Sequence, residues 1–129
     1  MARVSAARRG RLSRSAEFER VYRQGRSVAN RHLVLYRFPR SDDEGPRLGL
    51  SVSRRVGGAV ERNHVKRLLR EAFAALEAQV EDGQDVVLVA RPEMRELAEK
   101  EGLDGVRGAL EELLGRSRTG ATDARGGEQ

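Results

Sequence analysis

The spacing of apolar residues along the chain predicts three helices. Residues 16–24 form a short helical segment that precedes Gly25, a residue type that commonly ends helices. The strongest helical pattern covers residues 60–79, and a further amphipathic helix covers residues 103–114.

Alternating and continuous apolar runs predict the strands of a sheet. Residues 29–38 carry apolar side chains on both faces, so this strand is either covered on both sides or covered on one and used for binding on the other. Residues 47–53 are expected to return beside it as a hairpin, after the turn-forming residues 39–46. The continuous apolar run of residues 85–90 is typical of a buried strand, and Pro92 can then open a short helix.

The order of these elements predicts one α/β domain in residues 1–116. We expect a two-layer sandwich of order α-β-β-β-α-β-α, with helices packed on a small mixed sheet. A helix between two strands suggests a βαβ unit, for which a right-handed crossover is the general rule. Residues 1–11 are expected to form a flexible basic arm, and residues 117–129 a disordered tail.

The charges are distributed unevenly along the chain. Residues 1–80 hold 18 cations and 8 acids, a net charge of +10, whereas residues 81–129 hold 7 cations and 12 acids, a net charge of −5. Arginine supplies 23 of the 25 cations, and its guanidinium binds phosphates through two donors and stacks on bases. A polyanion, above all a nucleic acid, is therefore the expected partner.

The composition also excludes several classes of protein. Without cysteine there is no disulfide scaffold, no thiolate zinc site and no cysteine nucleophile. The longest apolar runs are about five residues, far short of a membrane span. The N-terminus has no apolar signal region, so we expect a cytoplasmic protein without a membrane partner.

The helix over residues 60–79 carries a basic arc. At about 100° per residue, four cations and one asparagine lie within about 140° of one another, and the apolar residues lie opposite. The arc consists of Arg62, Asn63, Lys66, Arg67 and Arg70. Solvated helix faces usually mix both signs of charge, so this arc is interpreted as a phosphate-binding face, with a solvated face as the alternative.

Two other features accompany the arc. The Gly57–Gly58 loop brings backbone amides to the start of the helix, where they can hold an anion, or it is only a flexible turn. All five large aromatic residues lie in the basic part of the chain, where rings can stack on bases. We assign Phe38 and Phe73 to the core. Three rings belong either to the core or to a binding groove: Phe18, Tyr22 and Tyr36.

No arrangement of residues predicts a catalytic or metal site in this chain. Asp42, Asp43 and Glu44 are consecutive in a turn, where their side chains diverge, and we interpret them as solubilising charges. Nothing in the sequence places His32 near His64, as an acid–base pair would require.

Residues 49–73 resemble the signature region of the bacterial ribonuclease P protein family. The family pattern is a strand ending in a basic pair, followed by V-G-x-A-V-x-R-N-x-x-K-R-x-x-R-E. It is matched by Val56, Gly57, Ala59, Val60, Arg62, Asn63, Lys66, Arg67, Arg70 and Glu71. Residues 11–25 and 85–92 are similar to the opening helix and last strand of the family. One position differs: His64 stands where the family commonly has arginine, which should weaken RNA contact slightly.

This resemblance implies a fold, a function and a set of site residues. The family fold has a left-handed βαβ crossover, contrary to the general rule. Its members join a catalytic RNA that removes the 5′ leader of precursor tRNA in a Mg²⁺-dependent hydrolysis. The RNA and the substrate hold the Mg²⁺, and the protein supplies no catalytic group. The implied RNA contacts are Arg54, Arg55, Arg62, Asn63, Lys66, Arg67 and Arg70, and the implied leader cleft uses Phe18, Tyr22 and Tyr36.

Two other functions fit a basic face. A ribosomal or chaperone RNA-binding protein would have the same arc without a role in cleavage. A DNA-binding regulator is disfavoured, because the arc offers one asparagine as its only base reader and no clear preceding helix and tight turn.

Overall fold

Two helices pack on one face of a four-stranded sheet in the computed structural model, which describes residues 25–39 and 44–118. The strands are β1 (Arg26–Ala29), β2 (Leu33–Pro39), β3 (Arg47–Ser51) and β4 (Gln84–Ala90). The helices are α1 (Ala59–Leu76), which runs into a 3₁₀ turn (Glu77–Gln79), and α2 (Met94–Arg118). The predicted α/β class with a small mixed sheet is confirmed.

Several predictions fall outside the described residues. They concern the basic arm, the first helix with Phe18 and Tyr22, the turn residues Asp42 and Asp43, and residues 119–129 of the tail.

The predicted hairpin between β2 and β3 is wrong, because β4 lies between these strands. The order across the sheet is β1-β2-β4-β3, with β4 antiparallel to β2 and parallel to β3. Val86, Val87 and Leu88 of β4 are fully buried, and a strand that is apolar on both faces belongs in the interior of a sheet. The fully buried carboxylate of Asp85 also accepts two hydrogen bonds from Arg47 of β3, at 2.9 and 3.0 Å.

The hairpin that does form joins β1 to β2. Asn30 Oδ1 accepts the backbone N–H groups of His32 and Leu33, both at 2.9 Å, and this closes a tight turn. The predicted strand over residues 29–38 is therefore interrupted at this turn. Asn30 Nδ2 also donates to Ala109 O and to Glu112 Oε1, which ties the hairpin to α2.

The connection from β3 through α1 to β4 joins two parallel neighbours. The predicted βαβ unit is thus confirmed, whereas its left-handed course remains a prediction from the resemblance. α2 is broken at Gly102, whose φ of 60° is easily adopted only by glycine. The break divides the helix after Pro92 from the predicted helix beginning at residue 103.

The core lies between the helices and one face of the sheet. Every residue predicted for the apolar side of α1 is buried: Val65, Leu68, Leu69, Ala72 and Leu76. Leu33 and Leu35 of β2 and Leu110 of α2 are at most 1% exposed, and they pack in the same cluster. Phe73 is buried there as predicted. Phe38 is not in this core: it is half-buried on the other face of the sheet, because it alternates with the core-facing residues of β2.

Candidate nucleic-acid interface

The basic arc of α1 faces away from the core. Asn63 and Arg67 are exposed, and Arg62, Lys66 and Arg70 are half-buried. The opposite side of the same helix is buried against the sheet and α2. The fold therefore brings the five residues of the predicted arc to one surface of the protein.

The arc contains cations without acidic partners. Arg62, Lys66 and Arg67 form no ion pair with any acid in the described ranges, and Arg62 Nε is buried without a hydrogen-bond partner there. Arg62 and Lys66 are four residues apart, a spacing at which like charges destabilise a helix by a few tenths of a kcal/mol. An arc that costs stability in the free protein is suited to a polyanion that neutralises it.

His64 contacts the arc directly. The guanidinium of Arg67 donates to Nδ1 of His64 at 3.0 Å, so in this arrangement Nδ1 carries no proton. His64 itself is half-buried at the margin of the arc. His64, the position that differs from the family pattern, therefore helps to position Arg67, one of the predicted RNA-binding arginines.

The loop before α1 places two more arginines beside the arc. Arg54 and Arg55 are exposed in a turn closed by a hydrogen bond from Val56 N to Ser53 O at 3.0 Å. A Cβ at Gly57 would lie 2.8 Å from that of Glu61, so a side chain does not fit at this position. The Glu61 side chain accepts the N–H of Gly58 at 3.0 Å, so this amide is not available to an external anion.

The sheet face opposite the helices carries a second cluster, which we call the aromatic face: Tyr36, Phe38, Val87 and Val89. Val87 is fully buried, and the other three residues are half-buried. Tyr36 and Val87 are direct partners in the pairing of β2 with β4. Tyr36 shares this face with Phe38, although sequence reasoning assigned Phe38 to the core, and the role of Tyr36 in a cleft stays a prediction. The signal for Phe38 was its spacing of two residues from Tyr36 along β2, which places both rings on the same face of the strand.

Hydrolytic chemistry would need an acid–base pair or a metal cage. Within the described ranges, no group of three or more histidine, aspartate or glutamate side chains could hold a metal ion. None of the helices described is long and apolar enough to cross a membrane. The candidate binding features in the described ranges are the basic arc with the adjoining Arg54–Arg55 turn, and the aromatic face on the other side of the sheet.

Comparison with known protein families and curated sequences finds similarity to ribonuclease P proteins. The Ribonuclease P family matches residues 6–115 of the chain. The ribonuclease P protein component of Shouchella clausii is 44% identical over 108 residues, which cover 84% of this chain and 85% of that protein. The corresponding protein of Bacillus pumilus is 38% identical over 94 residues, covering 73% and 79% of the two chains.

Solved structures show the same similarity. The RNase P protein of Staphylococcus aureus superposes with a TM-score of 0.75 at 32% identity, over 84% of this chain and 94% of that one. The RNase P protein of Thermotoga maritima gives a TM-score of 0.74 at 32% identity, over 84% and 97% of the two chains.

Proposed function

Because this chain belongs to the bacterial ribonuclease P protein family, we propose that it binds both the catalytic RNA and the 5′ leader of precursor tRNA. The chain is a protein subunit of ribonuclease P, a ribonucleoprotein endoribonuclease, and it associates with the RNA subunit. In this proposal, the RNA subunit performs the hydrolysis that removes the leader. The protein contributes binding surfaces and no catalytic group.

The observation that carries this proposal is the basic arc of α1. Three of its cations lack acidic partners within the described ranges, and the exposed Arg54 and Arg55 precede it in the adjoining turn. Guanidinium groups bind phosphates through two parallel donors, which gives both affinity and orientation. We assign Arg54, Arg55 and the five residues of the arc to contact with the RNA subunit.

The aromatic face supports the leader-binding part of the proposal. An unpaired RNA strand exposes the faces of its bases, and stacking on an aromatic ring contributes about 1–3 kcal/mol per base. Tyr36 and Phe38 present rings on the sheet face opposite α1 and α2. In the proposed cleft, Tyr36 acts together with Phe18 and Tyr22, which the resemblance assigns to the same role.

The metal ion belongs to the RNA part of the complex in this proposal. The described part of the chain contains no cluster of side chains that fits Mg²⁺, and the cations of the arc would repel it. As the resemblance to the family implies, we assign the Mg²⁺ to the RNA subunit and the substrate. The arc can still assist the reaction, because it neutralises phosphates that would otherwise repel one another.

Reconstitution tests the proposed role in cleavage. The purified chain alone is expected to leave precursor tRNA intact, and at low Mg²⁺ it should stimulate 5′ cleavage by its cognate catalytic RNA. An equal cleavage rate with and without the protein would contradict the proposal. That result, combined with intact RNA binding, would favour the ribosomal or chaperone alternative.

Leader binding needs a separate test on the assembled complex. Tyr36→Ala, and Phe18→Ala combined with Tyr22→Ala, should weaken binding of precursor tRNA more than binding of mature tRNA. Tyr36→Phe is the matched control, since it keeps the ring and should keep most of the affinity. Equal losses on both RNAs would assign these rings to the fold and not to the leader.

A further inference from the structure

One end of the sheet gathers four arginines from three separate loops. Arg31 lies in the turn between β1 and β2, Arg91 directly follows β4, and Arg54 and Arg55 follow β3. We call these residues the sheet-end arginines. All four are exposed, and none of their side chains forms a hydrogen bond or an ion pair with another described residue.

Strand pairing brings these loops together although they are far apart in the sequence. Leu33 is paired with Ala90, and one step further the N–H of Arg91 donates to His32 O at 2.9 Å. β3 runs parallel to β4, with Ser51 beside Val89, so both strands finish at the same end. Neighbouring strands are about 4.8 Å apart, and the three loops therefore follow one another across the sheet.

Most acids at this end already have partners. Glu96 pairs with Lys100 at 2.8 Å, and Glu99 pairs with Arg95 at 3.0 Å. Glu61 holds the N–H of Gly58 and lies 3.7 Å from Arg95. The pKa of Glu96 is lowered, first by its hydrogen bond and charge interaction with Lys100 and to a smaller extent by Arg31 and His32.

Glu93 is the remaining acid in the turn that leads into α2. Among the acids named at this end only Glu93 has no ion pair with another described residue, so the four sheet-end arginines give the surface a net positive charge. The charge is also continuous with the basic arc, because the Arg54–Arg55 turn leads directly into α1.

We propose that Arg31 and Arg91 are further RNA-binding residues, which extend the surface of Arg54 and Arg55 along the end of the sheet. Their ligand is the phosphate backbone of an RNA strand, since exposed guanidinium groups in a row match a row of phosphates. The inference rests on the proposed function, because it requires that the adjoining arc binds RNA. It adds two positions that lie outside the signature region and far from each other in sequence.

Binding measurements with single variants of the full chain test this inference. Arg31→Ala and Arg91→Ala should each lower the affinity for RNA about threefold to tenfold, and each should reduce the slope of log K against log salt by roughly 0.7–0.9. Arg107→Ala is the matched control, because Arg107 is exposed on α2 and has no side-chain partner in the described part of the chain. It removes the same charge and should leave the slope unchanged.

Two arms of the experiment distinguish the source of the phosphates. Binding to the catalytic RNA alone reports contact with that subunit, whereas binding of precursor tRNA to the reconstituted complex reports contact with the substrate. A loss in either arm supports the inference and identifies the strand. If both variants behave like Arg107→Ala in both arms, the two arginines are only solvated and the inference is wrong.

A failure of the proposed function would look different. Arg62→Ala combined with Arg67→Ala tests the arc itself in the same assay. If this variant weakens binding and the sheet-end variants do not, only the inference fails. If neither weakens binding, the proposed RNA-binding face fails as well. Equal urea unfolding midpoints for all variants would show that the fold is intact.

Discussion

The two helices bury their apolar sides in the same core but arrange their charges in opposite ways. On α1, Arg62, Lys66 and Arg67 share one side and have no acidic partner in the described ranges. On α2, cations and acids alternate at a spacing of four residues. They form the pairs Arg95–Glu99, Lys100–Glu96 and Arg116–Glu112, at 3.0, 2.8 and 4.0 Å.

This difference separates charges that serve the fold from charges that serve a partner. Opposite charges four residues apart support a helix in the free protein, and like charges at that spacing oppose it. The charges in these three pairs of α2 are therefore satisfied within the chain. Arg62, Lys66 and Arg67 of α1 are instead available to a ligand outside the chain, and four comparisons between the helices can test this interpretation.

The largest effect is expected where the helices are alike, in the core. Leu69→Ala on α1 and Leu110→Ala on α2 each remove a fully buried side chain, and each should lower the free energy of unfolding by about 2–5 kcal/mol. Val60→Ala is the control, because Val60 is 77% exposed and its loss should have little effect. Urea unfolding gives these values. A large loss for only one helix would show that the two do not share one core.

The second-largest effect is expected in RNA binding, where variants of the two helices should differ. Arg62→Ala with Arg67→Ala changes the net charge by −2, and so does the single change Arg107→Glu on α2. The α1 variant should lower RNA affinity at least about tenfold and reduce the salt slope by roughly 1.4–1.8, the value for two phosphate contacts. The α2 variant should leave the slope unchanged. Equal losses would mean that net charge, and not the arc, controls binding.

The sequence predicted the arc and the core of α1 well because both follow from one local period. The positions of Leu69 and Arg62 relative to the helix axis depend only on their numbers in the chain. The continuous apolar run of residues 85–90 likewise predicted a buried strand from neighbouring residues alone. Such features need no knowledge of distant segments.

Features that depend on distant segments were predicted wrongly from the sequence or were overlooked. The predicted hairpin of β2 with β3 was wrong because β4, which begins more than thirty residues after β3 ends, lies between these two strands. The sheet-end arginines become neighbours only through this strand order, so Arg31 and Arg91 could not be linked from the sequence. Phe38 is a different case, since the sequence showed that it shares a strand face with Tyr36 and only its assignment to the core was wrong.

A smaller effect is expected from His64, which stands where the resemblance to the family implies an arginine. His64→Arg adds a cation at the margin of the arc and should raise RNA affinity about threefold, with a steeper salt dependence. The gain is limited because the substitution removes the hydrogen bond that Arg67 donates to Nδ1. Gly108→Arg adds the same charge on α2, where a new side chain meets open space. If both variants gain equally, the position within the arc has no importance.

The smallest effect concerns the pairs of α2 and appears as a dependence of stability on pH. The hydrogen bond and charge of Lys100 lower the pKa of Glu96 below its ordinary value of 4.5, and Glu96 in turn raises the pKa of Lys100 above 10.5. A carboxyl with a lowered pKa stabilises the fold above pH 4.5 and loses this contribution as the pH falls through its folded pKa. An ammonium with a raised pKa stabilises below pH 10.5 and loses its contribution as the pH rises through the folded value.

Lys100→Met should therefore lower the free energy of unfolding slightly at pH 7, and the difference from the parent chain should disappear near pH 3. Arg107→Met is the control, because Arg107 has no side-chain partner in the described part of the chain and its removal should not produce this pH dependence. Urea unfolding at the two pH values measures both. A Lys100→Met difference that persists at pH 3 would mean that the side chain stabilises α2 by packing. The distinction between paired charges on α2 and unpartnered charges on α1 would then be weaker, because the pairing would contribute nothing to the fold.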